Sequence, residues 1–129
     1  IILEKNGPLT KEEFEIVKEH AYLTHMILKD IDGFEQIHEW ASLHHERNDG
    51  SGYPFGMKEK ELSFESKILA CLDVYQALVE TRPYRKAFSH DEAMEIIFEQ
   101  VPKNLFYEEI VDVIAAIYEE EVLVQVYNL

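Results

Sequence analysis

His44 and His45 stand side by side and run straight into Glu46-Arg47-Asn48-Asp49-Gly50-Ser51-Gly52-Tyr53-Pro54. Two neighbouring imidazoles at a helix end can both turn toward one metal ion, and imidazole is the commonest protein ligand for transition metals. The turn behind them carries Gly50 and Gly52. Glycines admit positive φ and let the backbone approach a bound group closely, and Pro54 then sets the exit direction. Such a loop can grip a phosphate. The same residues also fit a solvated helix end followed by a surface loop, so the rest of the chain must decide.

A second signal is Asp73. From Ile68 to Val79 the chain is apolar almost all round, and Asp73 is its only charge. A carboxylate inside such a helix costs on the order of several kcal/mol unless it is paired, hydrogen-bonded or bound to metal. Arg82 or Arg85 would satisfy it structurally. A metal would satisfy it as well, because His20, His44, His45 and one carboxylate suit Zn, Mn or Fe. The turn Thr81-Arg82-Pro83-Tyr84-Arg85-Lys86 concentrates cations on a constrained backbone. Arginine forks match phosphate oxygens bidentately, which makes the turn a candidate phosphate clamp; the bland alternative is a solvated basic face.

The elements that must position these residues read as helices. Thr10 and Glu13 form a capping box for a first helix over 11–28, whose stripe of Phe14, Val17, Ala21, Thr24 and Leu28 turns His20 toward the interior. A buried core histidine is the alternative meaning of that position. His25 falls on the opposite edge, at the surface. A second helix over 34–47 puts Ile37, Trp40, Ala41 and His44 on one face and His38 on the outside. A third spans 63–80 and ends before Pro83, which disfavours helical geometry at Arg82. Ser89 and Glu92 cap a fourth over 90–99 with His90 exposed, and a last helix covers 107–120. The tail 122–129 alternates valines and fits a strand, a continued helix or an apolar edge.

At 129 residues the chain is the size of one domain, and its 47% hydrophobic and 12% aromatic content argues against disorder. No apolar run approaches the roughly 20 residues of a membrane span. Residues 1–6 lack a signal-peptide pattern, and a lone cysteine, Cys71, forms no internal disulfide. Both features predict a cytoplasmic protein. With 26 acidic and 12 basic residues the net charge is −14. That balance opposes nucleic acid or anionic lipid as a partner. A phosphate-bearing substrate would need local positive charge from a metal or from Arg82, Arg85 and Lys86.

The run HHERNDGSGYP, followed by the aspartate of LDVYQAL and then by TRPYRKAFSHDEA, resembles the HD-GYP family of bacterial cyclic di-GMP phosphodiesterases. The resemblance extends from about Leu3 to Phe98. It implies an all-α, HD-domain-like bundle of about five helices, with the chain forming one partial domain that lacks the first helices of the full one. It also implies His20, His44, His45 and Asp73 as metal ligands, with Fe or Mn in a cluster of two or three ions. Gly52, Tyr53 and Pro54 would shape the substrate loop, and Arg82 and Arg85 would contact substrate phosphates. The family's further histidine, HD dipeptide and lysine are expected upstream of Ile1. Gln76 stands where many relatives have a second aspartate, and Asn48 where they have an aromatic residue. The expectation is a metal-dependent hydrolase of cyclic di-GMP that is inactive as this isolated chain. Alternatives are a non-catalytic signalling module engaging a cyclic di-GMP synthase, sensory or receiver domain, and an HD-type phosphohydrolase acting on another nucleotide. An apolar face left uncovered would favour a homodimer.

Overall fold

The computed structural model describes Lys5 and residues 7–127, with side chains as far as 117. Five α-helices follow one another: α1 (Lys11–Leu28), α2 (Glu35–Leu43), α3 (Phe64–Val79), α4 (His90–Phe98) and α5 (Glu108–Tyr127). Short 3-10 turns at Glu59–Glu61 and Val101–Lys103 punctuate the loops. Among the described residues the only extended pairings are isolated bridges, Asp49 with Lys58 and Arg82 with Arg85. The all-α expectation holds.

Each helix start has a local cause. Thr10 Oγ1 accepts from the Glu13 N–H at 3.2 Å while the Glu13 carboxylate accepts from the Thr10 N–H at 2.7 Å, and Ser89 with Glu92 repeats the exchange for α4. Ser63 Oγ caps α3 by accepting from the Ser66 N–H. These exchanges satisfy amides that a helix start otherwise leaves orphaned.

The core lies in the C-terminal half. Cys71 from α3, Met94 and Ile97 from α4, and Phe106, Ile110, Val111 and Ile114 around α5 form one buried cluster. Helix α3 touches α2, α4 and α5, which makes it the central element, whereas α1 packs on α2. The expected interior stripe of α1 is therefore buried only at Ala21, and Phe14 and Ile27 are exposed. His20 is likewise exposed rather than interior. The sequence pattern of α3 also promised more burial than it has, since Leu72 and Phe64 reach the surface and the Asp73 side chain is 39% exposed.

Two boundaries differ from expectation. Helix α2 stops at Leu43, four residues early, because the chain turns so that the Glu46 N–H donates to the Leu43 carbonyl and the Tyr53 N–H to that of His45. The ambiguous tail continues α5 as helix to Tyr127. Residues 128–129, the leader reading of residues 1–4 and 6, and the start of the family resemblance at Leu3 lie outside the described residues.

Candidate metal centre

Three helices deliver the site. His20 sits on α1, His44 is the C-cap of α2, His45 follows in the turn, and Asp73 lies midway along α3. The ring centroids of His20 are 5.7 Å from those of His44 and 4.9 Å from those of His45, and the adjacent rings are 3.9 Å apart. One nitrogen from each of the three imidazoles lies within 4.8 Å of the others.

Hydrogen bonding fixes which nitrogens those are. His20 Nδ1 meets the Val17 carbonyl, His44 Nδ1 meets the Ala41 carbonyl at 2.9 Å, and His45 Nδ1 meets Asp73 Oδ2 at 3.2 Å. Carbonyls and carboxylates only accept, so each Nδ1 is the protonated nitrogen and each Nε2 keeps its lone pair. The Nε2 atoms of His20 and His45 nevertheless face each other at 3.0 Å. At that distance one proton shared between the two nitrogens relieves the lone-pair contact, and a divalent metal in its place would fit the donor set.

Burial assists. Desolvation first, and the neighbouring His45 second, hold the His44 pKa below its ordinary value, which favours the neutral ligand form. For Asp73, burial pushes the carboxyl up, but the His45 hydrogen bond and the charges of His45, His44 and Arg47 outweigh it and hold the pKa down. Asp73 thus finds its partner in His45 rather than in Arg82 or Arg85. It stands behind that ring and orients it, as carboxylates commonly do for metal-binding histidines.

The GYP loop is built on a residue that sequence reasoning passed over. Glu46 is fully buried, and its carboxylate accepts from the backbone N–H groups of Phe55 at 2.7 Å, Gly56 at 3.2 Å and Met57 at 2.9 Å. An acid placed between two histidines and a glycine-rich turn was the available signal. Gly52 explains itself by contact: a Cβ there would lie 2.4 Å from Glu46 Cα and 2.5 Å from both Arg47 N and His45 O. The loop can therefore close on the histidine turn only with glycine at 52. The Tyr53–Pro54 peptide is cis, and the Tyr53 ring leans on His45 at 4.7 Å. Gly52 thus packs on the histidine turn, and the Tyr53 ring borders the imidazoles of His20 and His45.

The cations of the basic turn, Arg82 and Arg85, are engaged within the chain. Arg85 donates to the carbonyls of Ala77 at 2.7 Å, Leu78 at 2.9 Å and Lys86 at 2.8 Å, and stacks on Phe88. Its guanidinium is spent on the end of α3. Arg82 pairs with Glu80 at 3.1 Å. The placement of Arg85 has a plain cause, since the last carbonyls of a helix lack intrahelical donors and an arginine just beyond can supply them. Gln76 faces Glu80 and gives Asp73 no support.

Three further histidines were misjudged from sequence. His90 is part-buried and bonded to the Tyr75 hydroxyl, and His25 and His38, both read as surface, are hydrogen-bonded to each other.

A family model described as "HD domain" matches residues 1–106. The chain belongs to the HD domain family. This HD domain is 38% identical over 113 residues to the "3'3'-cGAMP-specific phosphodiesterase 1" of Vibrio cholerae, which covers 88% of the chain and 26% of that protein. It is 41% identical over 113 residues to a "Cyclic di-GMP phosphodiesterase" of Thermotoga maritima, covering 86% of the chain and 30% of that protein. The "Cyclic di-GMP phosphodiesterase response regulator RpfG" of Xanthomonas campestris pv. campestris is 37% identical over 101 residues, covering 77% and 27%. The chain therefore spans less than a third of the length of each of these relatives. Its described helices include none long and apolar enough to cross a membrane.

Proposed function

We propose that this HD domain forms the histidine-rich side of a metal-dependent phosphodiesterase site for a cyclic dinucleotide, cyclic di-GMP first. The observation that carries the reading is the convergence of three imidazole Nε2 atoms whose Nδ1 protons are already committed. His20, His44 and His45 would hold the ion, with the Asp73 carboxylate orienting His45 from behind. Fe or Mn is the expected metal. A divalent ion there supplies Lewis acidity toward a phosphoryl oxygen and lowers the pKa of water, so that hydrolysis runs at neutral pH. The chain's own residues do the positioning. Asp73 fixes the His45 tautomer, Glu46 holds the loop amides, and Tyr53 and Pro54 wall the space beside the imidazoles. Arg82 would reach a substrate phosphate after exchanging its half-exposed pair with Glu80, an exchange of low cost for a surface pair.

Three converging imidazoles suit one ion better than a polynuclear cluster, so turnover is assigned to a chain that also carries the HD dipeptide and lysine. The test measures metal content and the hydrolysis of cyclic di-GMP and 3'3'-cGAMP. The 129-residue chain should bind about one Mn²⁺ or Fe²⁺ and leave both dinucleotides intact, and the extended chain should cleave at least one. An extended chain that binds neither metal, or binds it and cleaves nothing, ends the enzyme reading.

One observation favours a second reading. The engagement of Arg82 and Arg85 within their own chain leaves the phosphates fewer partners, as expected of a signalling module that binds a cyclic di-GMP synthase, sensory or receiver domain through the GYP surface. Calorimetry showing such a partner bound by an extended, non-hydrolysing chain would select it. The exposed apolar residues of α1 support a homodimer in either case, and concentration-dependent sedimentation tests that. Cytoplasmic residence follows from the same reading, since cyclic dinucleotides are cytoplasmic signals.

A further inference from the structure

A second pair of imidazoles lies apart from the site above. His25, in the last turn of α1, and His38, in α2, bring Nδ1 and Nε2 to 2.8 Å, with ring centroids 4.7 Å apart. The pair opens on a cavity of about 640 Å³ whose wall also includes Glu35, Glu39, Ser42 and Glu61 and, among the described residues, no lysine or arginine. Glu35 precedes His38 by three residues, so one turn of α2 presents a carboxylate and an imidazole on the same face. That Glu-x-x-His spacing is one that helical bundles use to hold metal ions. Ser42, 1% exposed, lines the cavity with a hydroxyl that has no hydrogen-bond partner among the described residues.

We propose that His25, His38 and Glu35 form a second metal site, selective for zinc or a similar late first-row divalent ion, which pins the end of α1 to α2. Two zinc-bound imidazole nitrogens stand about 3.3 Å apart in tetrahedral geometry, so the observed pair needs to open by about half an ångström, and the Glu35 carboxylate must turn in from Gly33 to complete the set. Glu35 is the third ligand in preference to Glu39 for a reason of cost. Its present contact is the exposed Gly33 N–H at 3.2 Å, which water can replace, whereas the Glu39 carboxylate holds the buried Ser66 hydroxyl at 3.2 Å. Hydration water on the ion would satisfy Ser42. Burial first, and His38 second, depress the His25 pKa and keep its ring in the ligand form. The pin matters because α1 carries His20 and packs on α2.

The test uses Co²⁺, followed by its visible ligand-field bands, with displacement by Zn²⁺. A His44→Ala/His45→Ala chain, which lacks two imidazoles of the first centre, should still take up one equivalent. Adding His38→Ala should abolish that uptake, and Glu35→Gln should weaken it at least about tenfold, as loss of a metal-site carboxylate does. No uptake by the double variant, or uptake indifferent to His38→Ala, overturns the proposal. Should the double variant fail to fold, the wild-type chain decides by NMR. Co²⁺ must then produce paramagnetic shifts at Tyr22 and Phe55, the rings beside His25, and their absence overturns it equally.

Discussion

At the scale of single residues, Glu46 and Cys71 make the sharpest tests. Replacing Glu46 by Ala orphans the amides of Phe55, Gly56 and Met57 together, and buried charge-assisted bonds of this kind cost about 3–5 kcal/mol when one partner is removed. Urea denaturation should show that loss. Gly52→Ala should lower stability by at least roughly 2 kcal/mol, because its Cβ meets backbone atoms that cannot swing aside. Cys71 is fully buried, and that burial pushes its thiol up to about 11 from an ordinary value near 9. The folded state therefore keeps a proton that the unfolded chain gives up first. The resulting stability is complete below about pH 9 and falls as pH rises toward 11, by roughly 2–3 kcal/mol for a shift of that size. Urea midpoints for wild type and Cys71→Ala across that window should converge as pH rises, and iodoacetamide should leave the native thiol unmodified at pH 8.

The helix ends assign roles that composition leaves open. Arg85 anchors the last carbonyls of α3 while Arg82 makes one partly exposed pair. Arg85→Ala should therefore cost about 1.5–3 kcal/mol, the range for hydrogen bonds from a charged donor, and Arg82→Ala less than about 1 kcal/mol. Thermal denaturation of the two variants decides between an anchor and a clamp: equal melting temperatures would return Arg85 to the phosphate site. Asp73 acts between elements, bonding from α3 to the histidine that follows α2. Asp73→Asn should reduce Mn²⁺ affinity by about 10- to 100-fold while leaving the helical circular dichroism intact. Unchanged affinity would leave Asp73 a purely structural role.

Over the whole molecule, the net charge of −14 sets the sign of the salt response. On the proposed function, a dianionic dinucleotide would approach a repelling surface, and salt shortens the reach of that repulsion to about 10 Å at 0.1 M. Its association rate with the metal-saturated chain should rise as salt is added. A protein that draws in phosphate through a basic surface behaves oppositely. Stopped-flow fluorescence with a labelled cyclic di-GMP distinguishes the two.

The sequence by itself determined the local features. Capping boxes at Thr10 and Ser89, the five helices, the paired histidines and the need of Asp73 for a partner are written in short-range patterns, because caps and helical periods depend on neighbours a few residues away. The GYP loop was legible as a motif, although its buried support was not: Glu46 looks like any solvated acid until its three amides come from residues nine to eleven positions later. What only the tertiary structure decided was pairing across the chain. The core settled between α3, α4 and α5, so the apolar stripe of α1 that looked interior stayed largely exposed. His25 met His38, Arg85 turned back onto its own helix, and His20 came within 3.0 Å of His45, 25 residues away. Periodicity specifies which way a side chain leaves its helix, but only the packing of helices on one another specifies what it meets there.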